Sequence, residues 1–414
     1  QGITAYLFDK SEKVTYPDLP AKGDAARGEA LTAKTGCRGC HVVGVDDDLG
    51  QEYGYRNFGP NLNDVGSKLS AGWLWHWMKD PTAYFPDTMM PDLRLTDQEA
   101  ADITAYLLTL KNPDFESRTP ANADAKVRDE LILGNLRERL PLTQAQARLD
   151  AMSNHDRDLY LGEQHIGRQG CFGCHLISGF EDATPIGTEL TLEGSKDVAK
   201  LDFGMNTLNL DRTNYDWFFT KLKQPRVFDE GKEKVFKDKL RMPHFGLSDA
   251  DAEAITTALL SFSVSHVAIS AKNNLTPHEV EIEKGRRLVY ERNCRGCHEV
   301  EGKGAAIRPS LVQAYGKLDG MGEADAVAFS PHILNGEGEK VQPDWFFNFL
   351  KNVVLIRPWL DVRMPVFGFE DQEANDAVTY FSRLDEQQFP YETFVHKTLS
   401  ANEIRGGVQI FSPD

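Results

Sequence analysis

The chain has little that would suit it to nucleic acid or to a bilayer. Its 46 Lys and Arg are outnumbered by 63 Asp and Glu, for a formal charge of -17, and phosphate binding needs clustered positive charge. Basic partners are favoured instead, with contacts that weaken as salt rises. No apolar run reaches the roughly 20 residues that span a bilayer; the best, "AITTALLSFSVSHVAIS", is interrupted by Ser, Thr and His. Cysteine is scarce, six in 414 residues. The first residue is Gln1, with no Met and no signal-like segment, so the expectation is a processed chain or a fragment parted from its anchor. At 41% hydrophobic content the chain can bury two to four cores of ordinary size.

The few cysteines are not scattered. They form three pairs, each followed at once by histidine: "GCRGCHVVG" (Cys37, Cys40, His41), "GCFGCHLIS" (Cys171, Cys174, His175) and "NCRGCHEVE" (Cys294, Cys297, His298). With only 11 His in the chain, that coincidence is not chance.

The surroundings of the motifs recur as well, roughly every 120 to 135 residues. A glycine stands nine residues before each first Cys, at Gly28, Gly162 and Gly285, where it suits close packing of two backbones. Downstream comes a Trp-led helix with a Lys six residues on: Trp73 and Lys79, Trp217 and Lys223, Trp345 and Lys351. A Met-Pro step follows at Met90, Met242 and Met364. Each unit closes with an acidic-capped amphipathic helix, for which Thr96 with Glu99 and Ser248 with Asp251 read as capping boxes and Glu370 approximates one.

Three modules are expected, over roughly 22–112, 155–265 and 278–386. The full division is 1–112 for module 1 with an N-terminal extension, 113–154 for a charged connector, 155–270 for module 2, 271–390 for module 3, and 391–414 for a C-terminal segment. The connector has helical potential and little apolar material, and reads as extended or as a helix lying on a neighbouring module. In "ANEIRGGVQIFSPD", Gly406 would place a next Cys just past Asp414, so a longer native chain with a further module of this kind or another domain is expected.

Two thiols at i and i+3 share one side of a helical turn, with the following imidazole turned to the same side. CxxCH supplies a c-type haem with two thioether links and an iron ligand. Zinc, the main rival, wants four ligands at short spacings, and a redox dithiol needs no histidine in that place. The sixth iron ligand is assigned to Met90, Met242 and Met364, which lie 49, 67 and 66 residues after their histidines. Three of only eight methionines at one place in a repeat outweigh gap-filling. Met89 is the weaker candidate in module 1, and His244 is an alternative beside Met242. His76, His155, His165, His266, His278, His332 and His396 hold no constant place in the repeat, so surface or ordinary core roles suffice for them.

CxxCH near the start, a Met-Pro loop and a terminal helix make each module resemble a class I cytochrome c. The resemblance implies an all-α fold of three tandem modules, with first helix crossing last at Gly28, Gly162 and Gly285. It implies three covalently attached haems c. It also implies that the proline of "GPNL" (Pro60) and of "RPSL" (Pro309) offers its carbonyl to the ligating histidine, as outer-shell partners do. Thr188 stands in that place in module 2. Trp73, Trp217 and Trp345 would bond a haem propionate or fill the core. His/Met ligation raises the reduction potential and leaves no vacant site, which points to electron relay rather than catalysis.

The expected protein is a trihaem cytochrome, the periplasmic subunit of a membrane quinol oxidoreductase or respiratory complex, exchanging electrons with its complex and a soluble cytochrome. A free periplasmic carrier is the alternative, and a multihaem peroxidase or a haem wire ranks below both. Periplasmic or outward-facing membrane attachment, through a partner or a lost anchor, follows from the resemblance.

Overall fold

A computed structural model describes residues 1–44, 58–119, 124–184, 186–205, 210–234, 238–263 and 274–387. The C-terminal segment read above as the start of a further module lies outside them. The chain divides into two compact units: Gln1–Val14 with the described part of 120–273, and Thr15–Thr119 with the described residues from Asn274 onward.

In chain order the main helices are α1 (Gly2–Lys10), α2 (Ala25–Lys34), α3 (Ala71–Lys79), α4 (Asp97–Leu107), α5 (Ala125–Arg137), α6 (Leu142–Asp150), α7 (Asn154–Gln169), α8 (Asn214–Lys223), α9 (Asp249–Ser261), α10 (Pro277–Glu291), α11 (Arg308–Asp319), α12 (Glu323–Ala328), α13 (Pro343–Lys351) and α14 (Asp371–Leu384). The described sheet is one short antiparallel hairpin, Glu299–Val300 with Lys303–Gly304.

Capping chemistry sets the helix starts. Thr96 and Glu99 exchange side-chain bonds with each other's backbone at the head of α4, as do Ser248 and Asp251 at α9. At α14 the Glu373 carboxylate accepts from the Glu370 backbone N–H at 2.9 Å.

In module 1, α2 crosses α4 at Gly28, where an added Cβ would stand 2.0 Å from the Asp102 carbonyl oxygen. Arg27 reaches across with two hydrogen bonds of 2.9 Å to the buried Asp102 carboxylate. Those bonds, with help from the Asp24 N–H, hold Asp102 down to about 2. In module 3, α10 crosses α14 at Gly285 in the same way, against Tyr380 and Asp376.

Module 2 departs from the expected pairing. Gly162 of α7 is crossed by α1, not by the module's own last helix α9, and an added Cβ there would meet the Gly2 carbonyl oxygen at 2.2 Å. The sequence explains the substitution. "GITAYL" (Gly2–Leu7) repeats "DITAYL" (Asp102–Leu107) at five of six positions, whereas α9 has Ala258 where α4 has Tyr106. The tyrosine matters because it closes the loop behind each motif. Tyr106 lies against Gly44, Tyr380 donates to Glu301 at 2.9 Å, and Tyr6 donates to the Ser178 carbonyl at 3.0 Å. The first part of the N-terminal extension, Gln1–Val14, therefore belongs with module 2, while the residues from Thr15 stay with module 1.

The connector is helical: α5 and α6 pair, and α5 lies on α7 around Ile132, Leu136, Ala145 and Leu149. Arg128 and Arg157 link it to Asp158 and Asp129.

The recurrent lysines have one structural job. Lys79, Lys223 and Lys351 each donate to the carbonyl just before the last helix, of Leu95, Leu247 and Phe369, and pair with Asp97, Asp249 and Asp371. Each ammonium thus ties the Trp-led helix to the far end of the methionine loop. A charge-assisted bond at this half-exposed depth contributes about 1 kcal/mol.

Candidate functional site

Modules 1 and 3 bring the predicted groups together. Cys37 and Met90 pack against one hydrophobic cluster, with Trp73, Leu74 and Ile103, and Cys294 and Met364 share another with Trp345, Phe346 and Val378. Methionines 49 and 66 positions past their histidines are therefore folded onto the core that holds an attachment cysteine.

The histidines are oriented by backbone. The His41 Nδ1 lies 2.8 Å from the Pro60 carbonyl oxygen, and Gly59 lets the loop pass close, since a Cβ there would stand 2.4 Å from the ring. In module 3 the His298 Nδ1 lies 2.8 Å from the carbonyl oxygen of His332, not of Pro309. Pro309 instead sits in the first turn of α11, where a missing N–H costs nothing. The insertion carrying α11 and α12 moved the equivalent loop downstream. Two bonds mark the true match: Leu334 N–H to the Glu299 carbonyl mirrors Leu62 to Val42, and the Asn335 side chain on Glu301 N–H mirrors Asn63 on Gly44. The recoverable signal was the shared Leu-Asn of "NLN" and "ILN". His332, set aside at first, is thus a backbone partner of the site.

Burial pushes the His41 imidazole below its ordinary value and takes His298 down to about 4, where the nearby His332 also disfavours charge. Both shifts favour the neutral ring, the form in which imidazole ligates a metal. Burial raises all four thiols of modules 1 and 3, Cys294 to about 12, which disfavours the free thiolate that a redox dithiol needs. Two thiols, an imidazole with Nδ1 already engaged, and a thioether that shares a core with one of the thiols form a donor set that fits a covalently held haem with His and Met ligands.

A residue absent from the sequence reading completes the methionine side of module 1. Trp77 donates its indole N–H to the Met90 sulfur at 2.9 Å and stacks on Trp73 at 5.1 Å. Its spacing of four from Trp73 in "WLWHWMKDP" was the available signal. Trp345 stacks on Phe349 in the same positions of module 3. Trp217 gives its indole N–H to the Asp202 carbonyl at 3.0 Å, so its bond is spent within the protein rather than aimed at a propionate.

Module 2 carries the parts without the same convergence. The loop at 188–195 repeats module 1 locally, with Thr191 N–H on the Glu189 side chain as Asn63 N–H is on Asn61. Thr188 and His175 are exposed, and Leu176 is 96% exposed where its counterpart Val42 is 3%. Met242 is half-buried, His244 is exposed beside it, and neither Met242 nor Cys171 belongs to a described hydrophobic cluster.

Comparison with known proteins agrees with this division. The family model described as Cytochrome c matches residues 25–111 and 282–385, which are modules 1 and 3. No curated protein and no solved structure matches. The two matched regions imply covalently bound haem and haem-based electron transfer, in a chain whose described part is predominantly helical and contains no helix long and apolar enough to cross a membrane.

Proposed function

We propose that the chain is a trihaem c-type cytochrome that relays single electrons and performs no chemistry on a substrate. The observation that carries this reading is the repeated donor set. Met90 shares a core with Cys37 and Met364 one with Cys294, His41 and His298 follow those motifs with Nδ1 held by a backbone carbonyl, and His175 with Met242 repeats the sequence pattern. Cys37 and Cys40, Cys171 and Cys174, and Cys294 and Cys297 would hold the three groups by thioether links. The haem supplies a one-electron couple; the protein supplies the rest.

That contribution is specific. The Pro60 and His332 carbonyls accept from Nδ1 and leave Nε2 for iron. The lysine ties hold each methionine loop in register, which would keep its thioether available as an iron ligand of a bound haem. In modules 1 and 3 burial of the attachment cysteines limits water, which would favour the less charged, reduced state of a bound haem. In module 1 the Trp77 N–H draws electron density from the Met90 sulfur and favours reduction further. Trp77→Phe is expected to lower the midpoint potential of one haem while the others hold theirs; an unchanged redox titration would remove this role.

The acidic chain, at -17, suits docking to basic redox partners. A place on the outer face of a bacterial membrane, as the electron-exchange subunit of a quinol-oxidising or respiratory complex, is the setting we propose.

The test is the stoichiometry and spectrum of the holoprotein. Three haems per chain, all low-spin and none binding carbon monoxide, are expected. Two haems per chain would limit the proposal to modules 1 and 3, and a high-spin fraction that binds carbon monoxide would turn it toward a peroxidase.

A further inference from the structure

We infer that the haems of modules 1 and 3 form one electron-exchanging pair with a direct protein path between them, although module 2 lies between them in the chain. This rests on the proposal above that both motifs carry haem.

The two attachment motifs are packed against each other within one compact unit. A Cβ added at Gly39 would stand 2.9 Å from the Cys297 Sγ, and one at Gly296 would stand 2.6 Å from the Gly39 carbonyl oxygen. Both motifs thus need glycine at the third position of CxxC, so that the backbones can meet. Gly173, at that position in module 2, has open space around it, with nothing within 4 Å of an added Cβ. The glycine of "CFGC" is not demanded by its own module's packing, whereas those of the two "CRGC" motifs are demanded by each other.

Asn293 completes the contact. It precedes Cys294, is 5% exposed, and takes a left-handed conformation (φ 51°) that Asn tolerates better than most residues. Its side-chain amide lies 3.2 Å from the Gly39 carbonyl oxygen and 3.2 Å from the Cys40 Sγ. Both sulfurs stand for those of the thioether links. From the Cys40 sulfur, one hydrogen bond therefore reaches the residue joined to Cys294.

The methionine loops are joined too. Asp92 and Val366, each two residues past its methionine, exchange both backbone hydrogen bonds at 3.0 and 2.9 Å. Arg94 of module 1 donates to the Met364 carbonyl at 3.0 Å and to the Val353 carbonyl at 3.2 Å. Arg363, the neighbour of Met364, pairs with Glu99 at the head of α4. Attachment side and methionine side of each site thus meet the other site. In the step itself one electron leaves the ferrous iron of one site and reduces the ferric iron of the other. No bond is made or broken and no proton moves, the first electron coming from an external one-electron reductant such as dithionite.

The test uses the full haem-loaded chain and reads the paramagnetic resonance of the ferric haems. Cys294→Ala with Cys297→Ala removes one haem and is expected to abolish the magnetic broadening and fast relaxation of the module 1 signal. Cys171→Ala with Cys174→Ala also removes one haem and is expected to preserve both. An identical module 1 signal with and without the third haem would overturn the pairing. A chain that takes up no haem at either motif would instead refute the function proposed above. Should the double variant not fold, Asn293→Gly keeps the left-handed backbone and removes the amide. It is expected to retain every haem and to slow equilibration between the two sites after flash reduction, and an unchanged rate would overturn the path through Asn293.

Discussion

Met364→Ala should convert one low-spin haem of the holoprotein into a high-spin, carbon-monoxide-binding one, with loss of one methionine-to-iron charge-transfer contribution and a fall in one midpoint potential. Among the described residues the Met364 thioether is the only one that shares the core with Cys294, and alanine removes it from that place. Met90→Ala should do the same in module 1, where it also frees the Trp77 N–H. Met89→Ala is the control: its side chain is 39% exposed and touched by Arg292, and the spectrum should not change. A low-spin spectrum retained in both Met364→Ala and Met90→Ala would end the His/Met assignment. Met242→Ala asks the same of module 2, and a retained low-spin signal there would place His244 on the iron.

Gly28→Val should be the most damaging single change in the body of module 1. The new Cβ would be placed 2.0 Å from the Asp102 carbonyl oxygen and 2.5 Å from its carbon, atoms of helix backbone that cannot rotate aside. Separating α2 from α4 also breaks the Arg27–Asp102 bonds and leaves a buried carboxylate without its partner. The expected cost is about 3 kcal/mol or more, at the upper end of overpacking effects, read as a lower denaturant midpoint together with loss of haem 1 from its native spectrum. Gly134→Ala provides the opposite sign. It lies in α5 with nothing within 4 Å of an added Cβ, and should stabilise by about 0.5 to 1 kcal/mol. A Gly28→Val chain as stable as the unsubstituted one would show that the crossing is not close-packed in solution.

Much of the site was legible because its grammar is local or periodic. CxxCH, the glycine nine residues before it, the Trp and Lys of the following helix and the capping boxes all recur at constant offsets, so repetition alone separated them from background. The lysines were visible without their purpose, since a carbonyl acceptor at Leu95, Leu247 or Phe369 carries no side-chain signature. The assignment of Pro309 failed for a related reason. What the histidine needs is a backbone carbonyl, and His332 offers one as well as proline does. The motif "RPSL" was the better sequence match but the wrong place in space, because α11 had been inserted ahead of the loop that matters. Trp77 escaped notice because only module 1 has an indole there, so no repeat pointed to it.

The sequence by itself determined the number of motifs, the residues proposed as donors and the helical character of the chain, because each depends on residues a few positions apart or on a period. Which segments face one another was decided only by the tertiary structure. That α1 fills the slot on α7 depends on Tyr6 and Gly2 meeting Ser178 and Gly162, more than 150 residues away. That modules 1 and 3 join depends on Gly39, Gly296 and Asn293 removing enough bulk, and offering one amide, where two distant motifs touch. Contacts of that kind leave no spacing to read, since what selects them is the fit of two surfaces that exist only after each module has folded.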